Sequence, residues 1–452
     1  MTSKVGIRNT SENKLGSRSS QAGFIVGSSL VAFCISLTLL SKQIDSQTFH
    51  EGISWPEQPA LNIWFDSNAP LVYMAMTSRG TKLQMTNRHP LFPYVGVLPV
   101  KAMGLIGIPE PLGVSLALAF GVGLMSGLFA LTLVMTIENV ALMWLSQALF
   151  FASSSFVFWS GICERFPLGS ATILAVTAGV AYYSKKGGMP VVAAVLLNVI
   201  SLSITITNWM FGLLMTFHFF KIKTAIRVTL YALLITTLLW LLESLFIEQK
   251  NSLIHVDSWN QKFILNSYAG SLYQKLIALL GHTMVIPSIH PYGFPEGVGA
   301  GAHEMLGVAH ARLGSGSLLG ALLATAWGLL FIGGGFLWWL KTEKSVFDRF
   351  LSLAILGQVA LHMVYGVELF LYGLHVVPLV LLFVTRGLDE LKGAPRRALI
   401  PALCLFVPLL AVHNITRYTE ARALYLERYE TRLQSSVQNL SPTEIKSQPR
   451  AH

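Results

Sequence analysis

Charged residues are scarce in this sequence. Asp, Glu, Lys and Arg make up only 12% of the 452 residues, whereas a soluble domain carries about 25%. So small a fraction leaves too little polar surface to cover a water-soluble globule of this length. Because 53% of the residues are hydrophobic and the mean hydropathy is +0.58, lipid must be the solvent for most of the chain.

Cysteine and the common catalytic motifs are also rare or missing. The three cysteines, Cys34, Cys163 and Cys404, form neither a disulfide framework nor a zinc-ligand spacing. The sequence has no Walker motif, no glycine-rich dinucleotide loop, no serine nucleophile elbow and no His-Glu-x-x-His pair. Since it has no internal repeat, it also lacks the inverted-repeat signature of many transporters.

What the sequence does contain is a series of apolar runs, many of them close to the roughly 20 residues that cross a bilayer. They predict an all-α polytopic membrane protein with eleven transmembrane helices between a tail of residues 1–22 and a tail of residues 414–452. In the second tail, arginines interleaved with glutamates predict a short surface helix. The predicted spans are 23–41, 112–135, 140–160, 167–184, 190–207, 209–221, 228–247, 316–340, 350–366, 370–385 and 398–413.

Basic residues orient these spans. Half of the 32 Lys and Arg residues lie in the N-terminal tail and in four short loops near 185, 221–227, 341–349 and 386–397. Such clusters mark the cytoplasmic side of a membrane protein. We therefore expect a cytoplasmic N-terminus and a C-terminus on the opposite face. Because the chain shows no eukaryotic retention signal, we expect a bacterial inner membrane, in which that face is periplasmic. Topology then explains the net charge of +10, and we expect no nucleic-acid partner.

Two long loops are predicted on the outer face, at 41–111 and 248–315. In the first, the apolar stretch 91–108 is interrupted by Pro93 and Pro99, which predicts an interfacial or re-entrant element rather than a span. The second combines a moderately amphipathic stretch at 265–280 with a segment at 290–301 that is rich in Gly, Pro and His. We expect that segment to be mobile.

The first outer loop holds two candidate sites. Asp66 follows Trp64 and Phe65 in an apolar setting, where partial burial of a carboxylate favours proton transfer; the alternative is a helix cap before Pro70. Arg88 and His89 stand where the chain returns to the interface and suit a phosphate, or alternatively lipid headgroups.

Two further candidates lie at short outer turns. Glu164 and Arg165 join two spans and form either part of a substrate pocket or a simple surface ion pair. Glu368, near Tyr372 and His375, is the only charged residue between 349 and 386, and an isolated carboxylate at a span end is costly unless it is used or paired.

The sequence contains two weaker candidates. His303 and His310, with Glu304 beside the first, are spaced to share a helical face, but a metal site needs a better-defined ligand set. Glu243 lies near the outer end of a span, where its side chain is expected to reach the membrane surface. We predict no specific metal site, although a divalent metal stays possible as a cofactor.

Together these residues resemble the GT-C superfamily of membrane glycosyltransferases, in particular the protein mannosyltransferase and aminoarabinose transferase type. The shared features are a long first outer loop with an early acid at Asp66, interfacial elements after Arg88-His89, and an acid at Glu164. The polar end of the fifth span at 198–209 and the late run at 368–375 are similar too. This sequence departs from the many members with paired acids, since Ser67 follows Asp66.

The resemblance implies a lipid-linked sugar donor, usually a polyprenyl phosphate, and inverting transfer on the outer face to a glycan, lipid or protein acceptor. It suggests Asp66 as the base and Arg88 with His89 as the phosphate-binding residues. Substrate-pocket residues would be Glu164, Arg165, Glu368, Tyr372 and His375. The second loop would close over the acceptor.

Three other functions remain open from the sequence. A transporter or lipid flippase predicts charges deep within spans and internal symmetry. A polymer ligase or polymerase acting on lipid-linked glycans would depend on the second outer loop, in particular on Arg312 and its histidines. The third is a structural membrane subunit.

Overall fold

The structure is a computed structural model that describes residues 18–44, 63–78, 88–247, 263–266, 269–293 and 304–439. These residues form a helical bundle with one small two-stranded sheet. Its helices are α1 (Arg18–Ile44), α2 (Ala69–Thr77), α3 (Phe92–Val95), α4 (Val97–Leu105), α5 (Glu110–Thr136), α6 (Val140–Ala152), α7 (Ser154–Trp159), α8 (Phe166–Lys186), α9 (Val191–Ile204), α10 (Trp209–Phe219), α11 (Ile222–Leu242), α12 (Leu272–Ile277), α13 (Leu318–Leu340), α14 (Val346–Val364), α15 (Gly373–Leu388) and α16 (Gly393–Asn439).

Eight helices in the described part of the chain are long and apolar enough to cross a membrane: α1, α5, α8, α11, α13, α14, α15 and α16. The chain is therefore a helical membrane protein in its architecture. Three of the eleven predicted spans correspond to shorter pieces, namely α6 with α7, α9 and α10. The first of these is broken at Ser153, whose hydroxyl donates to the Phe150 carbonyl and accepts from the Phe156 N–H.

The C-terminal part differs from the prediction. We expected a span at 398–413 followed by a separate surface helix, whereas α16 continues as one helix of 47 residues. Beyond the apolar part, Tyr418, Ala421 and Tyr425 are buried. Their spacing of three and four residues keeps one helical face in contact with the bundle, which explains why the helix does not end at residue 413.

Hydrogen bonds between distant segments define two ends of the bundle. At the first, here called the site end, the N–H of Leu91 donates to the Ser203 carbonyl at 2.7 Å and that of Ile206 to the Arg88 carbonyl at 3.0 Å. At the opposite end, Arg386 donates to the carboxylate of Asp348 at 2.9 and 3.1 Å and to the Thr136 carbonyl at 2.6 Å. Polar contacts thus join distant segments at both ends.

Small residues allow close helix packing between the ends, as in other membrane bundles. In the contact between α1 and α5, the hydroxyl of Ser29 donates to the Gly123 carbonyl at 2.7 Å. In the contact between α13 and α15, a Cβ at Gly387 would lie 1.8 Å from the carbonyl oxygen of Gly334. No larger residue fits at position 387 without separating the two helices.

The stretch 91–108, predicted to be an interfacial or re-entrant element, contains the two short helices α3 and α4, which meet at Gly96. Within the second predicted loop, the stretch 265–280 contains the short α12 and a single π-helical turn, Ala278–His282. The sheet pairs β1 (His290–Gly293) with β2 (Glu304–Gly307). Residues 294–303, which include most of the segment predicted to be mobile, lie outside the described residues.

The second loop is joined to the first at the site end. The N–H of Leu306 donates to the Ile63 carbonyl at 2.7 Å, so β2 extends beside the residues that precede Asp66. The segment at 263–265 is held as well, since the N–H of Leu265 donates to the Val364 carbonyl at 2.7 Å. The second loop is thereby attached both to the end of α14 and to the start of the first candidate site.

Candidate functional site

Asp66 lies in a turn of unusual backbone conformation. Phe65 and Asp66 have φ angles of 48° and 59°, in the left-handed region that costs a non-glycine residue of order 1–2 kcal/mol. The Phe65 ring is fully buried, with its centroid 5.6 Å from that of Phe158 and 5.3 Å from that of Phe370. Aromatic packing therefore maintains the strained turn that presents Asp66.

The alternative reading of Asp66 as a helix cap does not agree with the structure. Asn68 occupies the N-cap position of α2, and Pro70 stands in the first turn, where its missing N–H costs nothing. Asp66 thus lies two residues before the N-cap, in a separate turn.

Glu164 and Arg165 are buried, with 3% and 5% of their surfaces exposed, so a simple surface ion pair is excluded. The Glu164 carboxylate accepts hydrogen bonds from the backbone N–H of Asn68 and, at 3.2 Å, from that of Arg165. Burial raises the pKa of Glu164, whereas the Asn68 bond and the Arg165 charge oppose that rise. Glu164 thereby connects the turn before α8 to the segment just after Asp66.

The Arg165 guanidinium lies over the ring of Phe92, 4.6 Å from its centroid, an attractive cation–π arrangement. Burial lowers the pKa of Arg165 to about 10, and Glu164 acts in the opposite direction. The side chain consequently keeps its positive charge at neutral pH in an environment with little water, where an anion is attracted strongly.

His89 is a neutral imidazole in this setting. Burial lowers its pKa well below 6.5, and the charges of Arg165 and Arg88 add to the effect. Its Nδ1 lies 2.6 Å from the Ile204 carbonyl oxygen, so Nδ1 carries the proton and donates it, and Nε2 is an acceptor. His89 therefore adds no positive charge for a phosphate. Of the predicted phosphate-binding pair, only Arg88 carries a charge that attracts an anion.

Arg88 is fixed through its backbone, whose carbonyl accepts the Ile206 N–H. Its Nε is buried and has no hydrogen-bond partner among the described residues. A buried guanidinium N–H without a partner is costly, and an anionic ligand would remove that cost.

The Tyr365 hydroxyl interacts electrostatically with both Asp66 and Arg88. Burial raises the pKa of the Tyr365 hydroxyl; the Arg88 charge lowers it and the Asp66 charge raises it. Both charges therefore act on one phenol at the end of α14. Tyr365 was not among the predicted site residues, since a tyrosine at a span end is common at membrane interfaces.

Tyr372 and His375 lie at the same end, against the start of α8. Each ring centroid is 5.8 Å from that of Phe166, the first residue of α8. The Nε2 of His375 would be 2.6 Å from a Cβ at position 169, so Gly169 provides the space that this imidazole occupies.

Glu368 has a different position from the one expected of a pocket residue. Its carboxylate is fully buried and accepts the N–H groups of Val308 and Ala309 at 2.9 and 3.2 Å, and that of Phe370 at 3.2 Å. Glu368 thus attaches the second loop to the turn before α15. Its isolation in the sequence is explained by this pairing with backbone donors.

The weaker candidates lie apart from this group or cannot be placed. His303 is outside the described residues, and His310 is exposed. Within the described ranges, no three His, Cys, Asp or Glu side chains are grouped so that they could hold a metal ion. Glu243 does not reach the membrane surface as expected; it is buried at the end of α11.

The structure thus brings Asp66, Arg88, His89, Glu164 and Arg165 to one end of the bundle, with Tyr365, Tyr372 and His375 beside them. The group contains a carboxylate in a strained turn, two guanidinium groups and an acceptor imidazole. Comparison of the chain with protein-family models, with curated proteins and with solved structures found no match. Its chemistry must accordingly be argued from this geometry.

Proposed function

We propose that this protein is a membrane glycosyltransferase that moves a sugar from a polyprenyl-phosphate-linked donor to an acceptor hydroxyl on the periplasmic face. The observation that carries the proposal is the juxtaposition of Asp66 with Arg88 and Arg165 at one end of a membrane bundle. Such a site offers a proton acceptor and an anion-binding pair where a lipid-anchored substrate can reach them.

The bundle geometry supports a periplasmic site. At the end opposite the site, Arg386 contacts Asp348 and Thr136, so that the ends of three long helices meet there. The Arg386 end coincides with the basic clusters that mark the cytoplasmic side. The proposal therefore includes eleven crossings in a bacterial inner membrane, with the N-terminus in the cytoplasm.

In the proposed reaction, the Asp66 carboxylate takes the proton of the acceptor hydroxyl. The acceptor oxygen forms a bond to the anomeric carbon from the face opposite the phosphate, which inverts that carbon. The bond between the anomeric carbon and the phosphate oxygen breaks, and its electron pair leaves with the polyprenyl phosphate. Arg88 and Arg165 stabilise the negative charge that develops there.

Glu164 is a positioning residue in this scheme, because it binds the backbone beside Asp66 and is itself buried. The same holds for Glu368, which binds the second loop. The Nε2 of His89 is suited to accept a hydrogen bond from a substrate hydroxyl. The acceptor of the sugar is a glycan, a lipid or a protein, and the chemistry requires only its hydroxyl group.

The test uses the full chain in lipid nanodiscs with a panel of radiolabelled hexoses and pentoses on undecaprenyl phosphate, and a membrane extract as acceptor. Wild-type protein is expected to move label out of the donor, and Asp66→Asn is expected to be slower by about 10²–10⁴-fold, the usual contribution of a general base. Glu110→Gln is the matched control, since Glu110 is an exposed carboxylate paired with Lys101. No transfer by the wild type from any donor overturns the proposal.

A folded Asp66→Asn protein with full transfer activity would contradict the assignment of the base. A polymer ligase is the alternative enzyme, and substitution of Arg312 distinguishes it from the proposed glycosyltransferase. Arg312 is exposed on the second loop, so Arg312→Gln is expected to leave transfer unchanged while Arg88→Gln reduces it. The reverse result would favour the ligase.

A further inference from the structure

A pair of polar side chains lies inside the bundle beneath the site. Gln358 and His362 follow each other by one turn of α14 and have 1% and 2% of their surfaces exposed. The Nε2 of His362 lies 3.1 Å from the Oε1 of Gln358. At 1.5 Å per helical residue, Gln358 is about 10 Å from Tyr365 along the helix, at a depth where uncharged polar groups are rarely left without a function.

This pair is continuous with the residues at the site end. The imidazole of His362 stacks on the Tyr372 ring with centroids 4.4 Å apart and an angle of 28° between the planes. His375 comes one turn after Tyr372. The Nε2 of His375 and the hydroxyl oxygen of Thr205 approach the same point beside Gly169. A polar wall therefore extends from the loop residues into the bundle.

Several nitrogens of this wall have no hydrogen-bond partner among the described residues. They include the Nε2 of Gln358, which carries two N–H donors, and the Nε2 of His375. Leaving such groups unpaired in a buried position is costly. A ligand with hydroxyl groups would pair with them, whereas a polyprenyl chain would leave them unpaired.

The chemistry of the wall is that of a neutral, hydroxyl-rich ligand. It contains amide, imidazole and phenol groups and no carboxylate or guanidinium, which separates it from the charged residues Arg88 and Arg165 above it.

We propose that Gln358, His362 and His375 form a subsite for the sugar ring of the donor, below the phosphate-binding arginines. The inference rests on the proposed function and adds that the choice of sugar is made inside the membrane bundle. The phosphate stays at Arg88 and Arg165, and the sugar hydroxyls exchange hydrogen bonds with the three side chains.

The test compares two ligands of the full chain in nanodiscs. Unsubstituted undecaprenyl phosphate measures the phosphate site alone, and its hexose and pentose esters measure phosphate and sugar together. At least one ester is expected to bind about tenfold more tightly than the unsubstituted lipid, the order expected for a few buried hydrogen bonds. If the unsubstituted lipid binds and no ester binds better, the subsite is overturned and the phosphate site is retained. If neither ligand binds, the proposed function fails, and the subsite with it.

Substitutions in the polar wall test whether its side chains cause the tighter binding of the sugar ester. Gln358→Met and His362→Phe keep the side-chain volume, and His362→Phe also keeps a ring stacked on Tyr372. In both variants the ester is expected to bind less than about twofold more tightly than the unsubstituted lipid. Their affinity for unsubstituted undecaprenyl phosphate should stay at the wild-type value, whereas Arg88→Gln weakens both ligands.

Gln147→Met is the matched control, since Gln147 is an equally buried glutamine that donates to Ser126 in another part of the bundle. It should keep the full gain. A gain that persists in both Gln358→Met and His362→Phe overturns the inference, as does an equal loss in Gln147→Met. Because wild-type protein alone already tests the ester against the lipid, a variant that fails to fold does not remove the test.

Discussion

The carboxylate of Glu164 accepts the backbone N–H of Asn68, and this bond ties the turn before α8 to the strained turn that carries Asp66. The two residues are 96 positions apart in the chain. The buried Glu164 carboxylate thus binds the backbone two residues after the proposed base, and we expect the position of Asp66 to depend on this bond.

Glu164→Gln is expected to lower the stability of the protein by about 2 kcal/mol, because a hydrogen bond to a buried charge contributes about 1.5–3 kcal/mol. Transfer should fall mainly in kcat, since the change moves Asp66 and leaves the arginines in place. Thermal denaturation and steady-state kinetics in detergent measure both. Glu110→Gln, at an exposed ion pair, should change stability by less than about 0.5 kcal/mol. A wild-type kcat in Glu164→Gln would remove the positioning role.

Arg165→Lys is expected to weaken the binding of undecaprenyl phosphate by about tenfold while the charge is kept. Lysine lacks the planar guanidinium group. In Arg165 this group stacks on Phe92 and can make a bidentate contact to phosphate. Phe92→Leu should produce part of the same loss, because it removes the ring under the guanidinium. Equilibrium binding of the lipid tests both variants, and equal affinities in wild type and Arg165→Lys would show that the stacked geometry has no role.

The meeting of Asp66, Arg88 and Glu164 at one end of the bundle could be predicted from the sequence, because topology requires little detail. Charge clusters fix which loops share a side of the membrane, and so Asp66, Arg88 and Glu164 were expected on one face. The broken apolar stretch at 91–108 likewise predicted an interfacial element. These inferences depend on long apolar runs and on proline, which are strong local signals.

Contacts between distant residues could not be predicted in this way. No pattern indicates that Glu164 binds the Asn68 backbone, that Glu368 holds Val308, or that His362 stacks on Tyr372. The break at Ser153 was missed because a serine within an apolar run is compatible with a continuous helix; only its cap bonds show the new start. The length of α16 was missed because its outer part is polar except for one buried face.

Stability is expected to fall on acidification below about pH 6.5. Burial lowers the pKa of His282 from 6.5 to about 3, so between those values the unfolded chain binds a proton that the folded protein does not. The loss is about 1.4 kcal/mol per pH unit for one such group, and stability from this source is fully present above pH 6.5. His89, whose pKa is also lowered, acts in the same direction.

Thermal midpoints measured from pH 8 to pH 4 test this dependence. His282→Leu should make the curve less steep below pH 6.5. His290→Leu, which removes an exposed imidazole from the same loop, is the control for the substitution. An unchanged slope in His282→Leu would show that this histidine is not the source of the acid sensitivity.

At the opposite end, Asp348→Asn is expected to destabilise the protein by about 3–5 kcal/mol without a change in KM. Asp348 is fully buried and paired with Arg386 at 2.9 Å and with Lys341 at 3.4 Å. Removing one partner of a buried pair leaves the other charges uncompensated. Glu390→Gln affects only the half-exposed end of the same network and should cost less than about 1 kcal/mol. A change in KM with unchanged stability would contradict the separation of the two ends.

The outer part of α16 should control the site through Trp64. The rings of Tyr418 and Tyr425 lie 5.7 and 6.0 Å from that of Trp64, two residues before Asp66. Tyr418→Ala would remove a buried ring and is expected to cost about 3 kcal/mol and to reduce kcat by loosening the strained turn. Thr419→Ala, one position along on the exposed face, is the control. If Tyr418→Ala lowers the melting temperature and leaves kcat unchanged, α16 stabilises the fold but does not position Asp66.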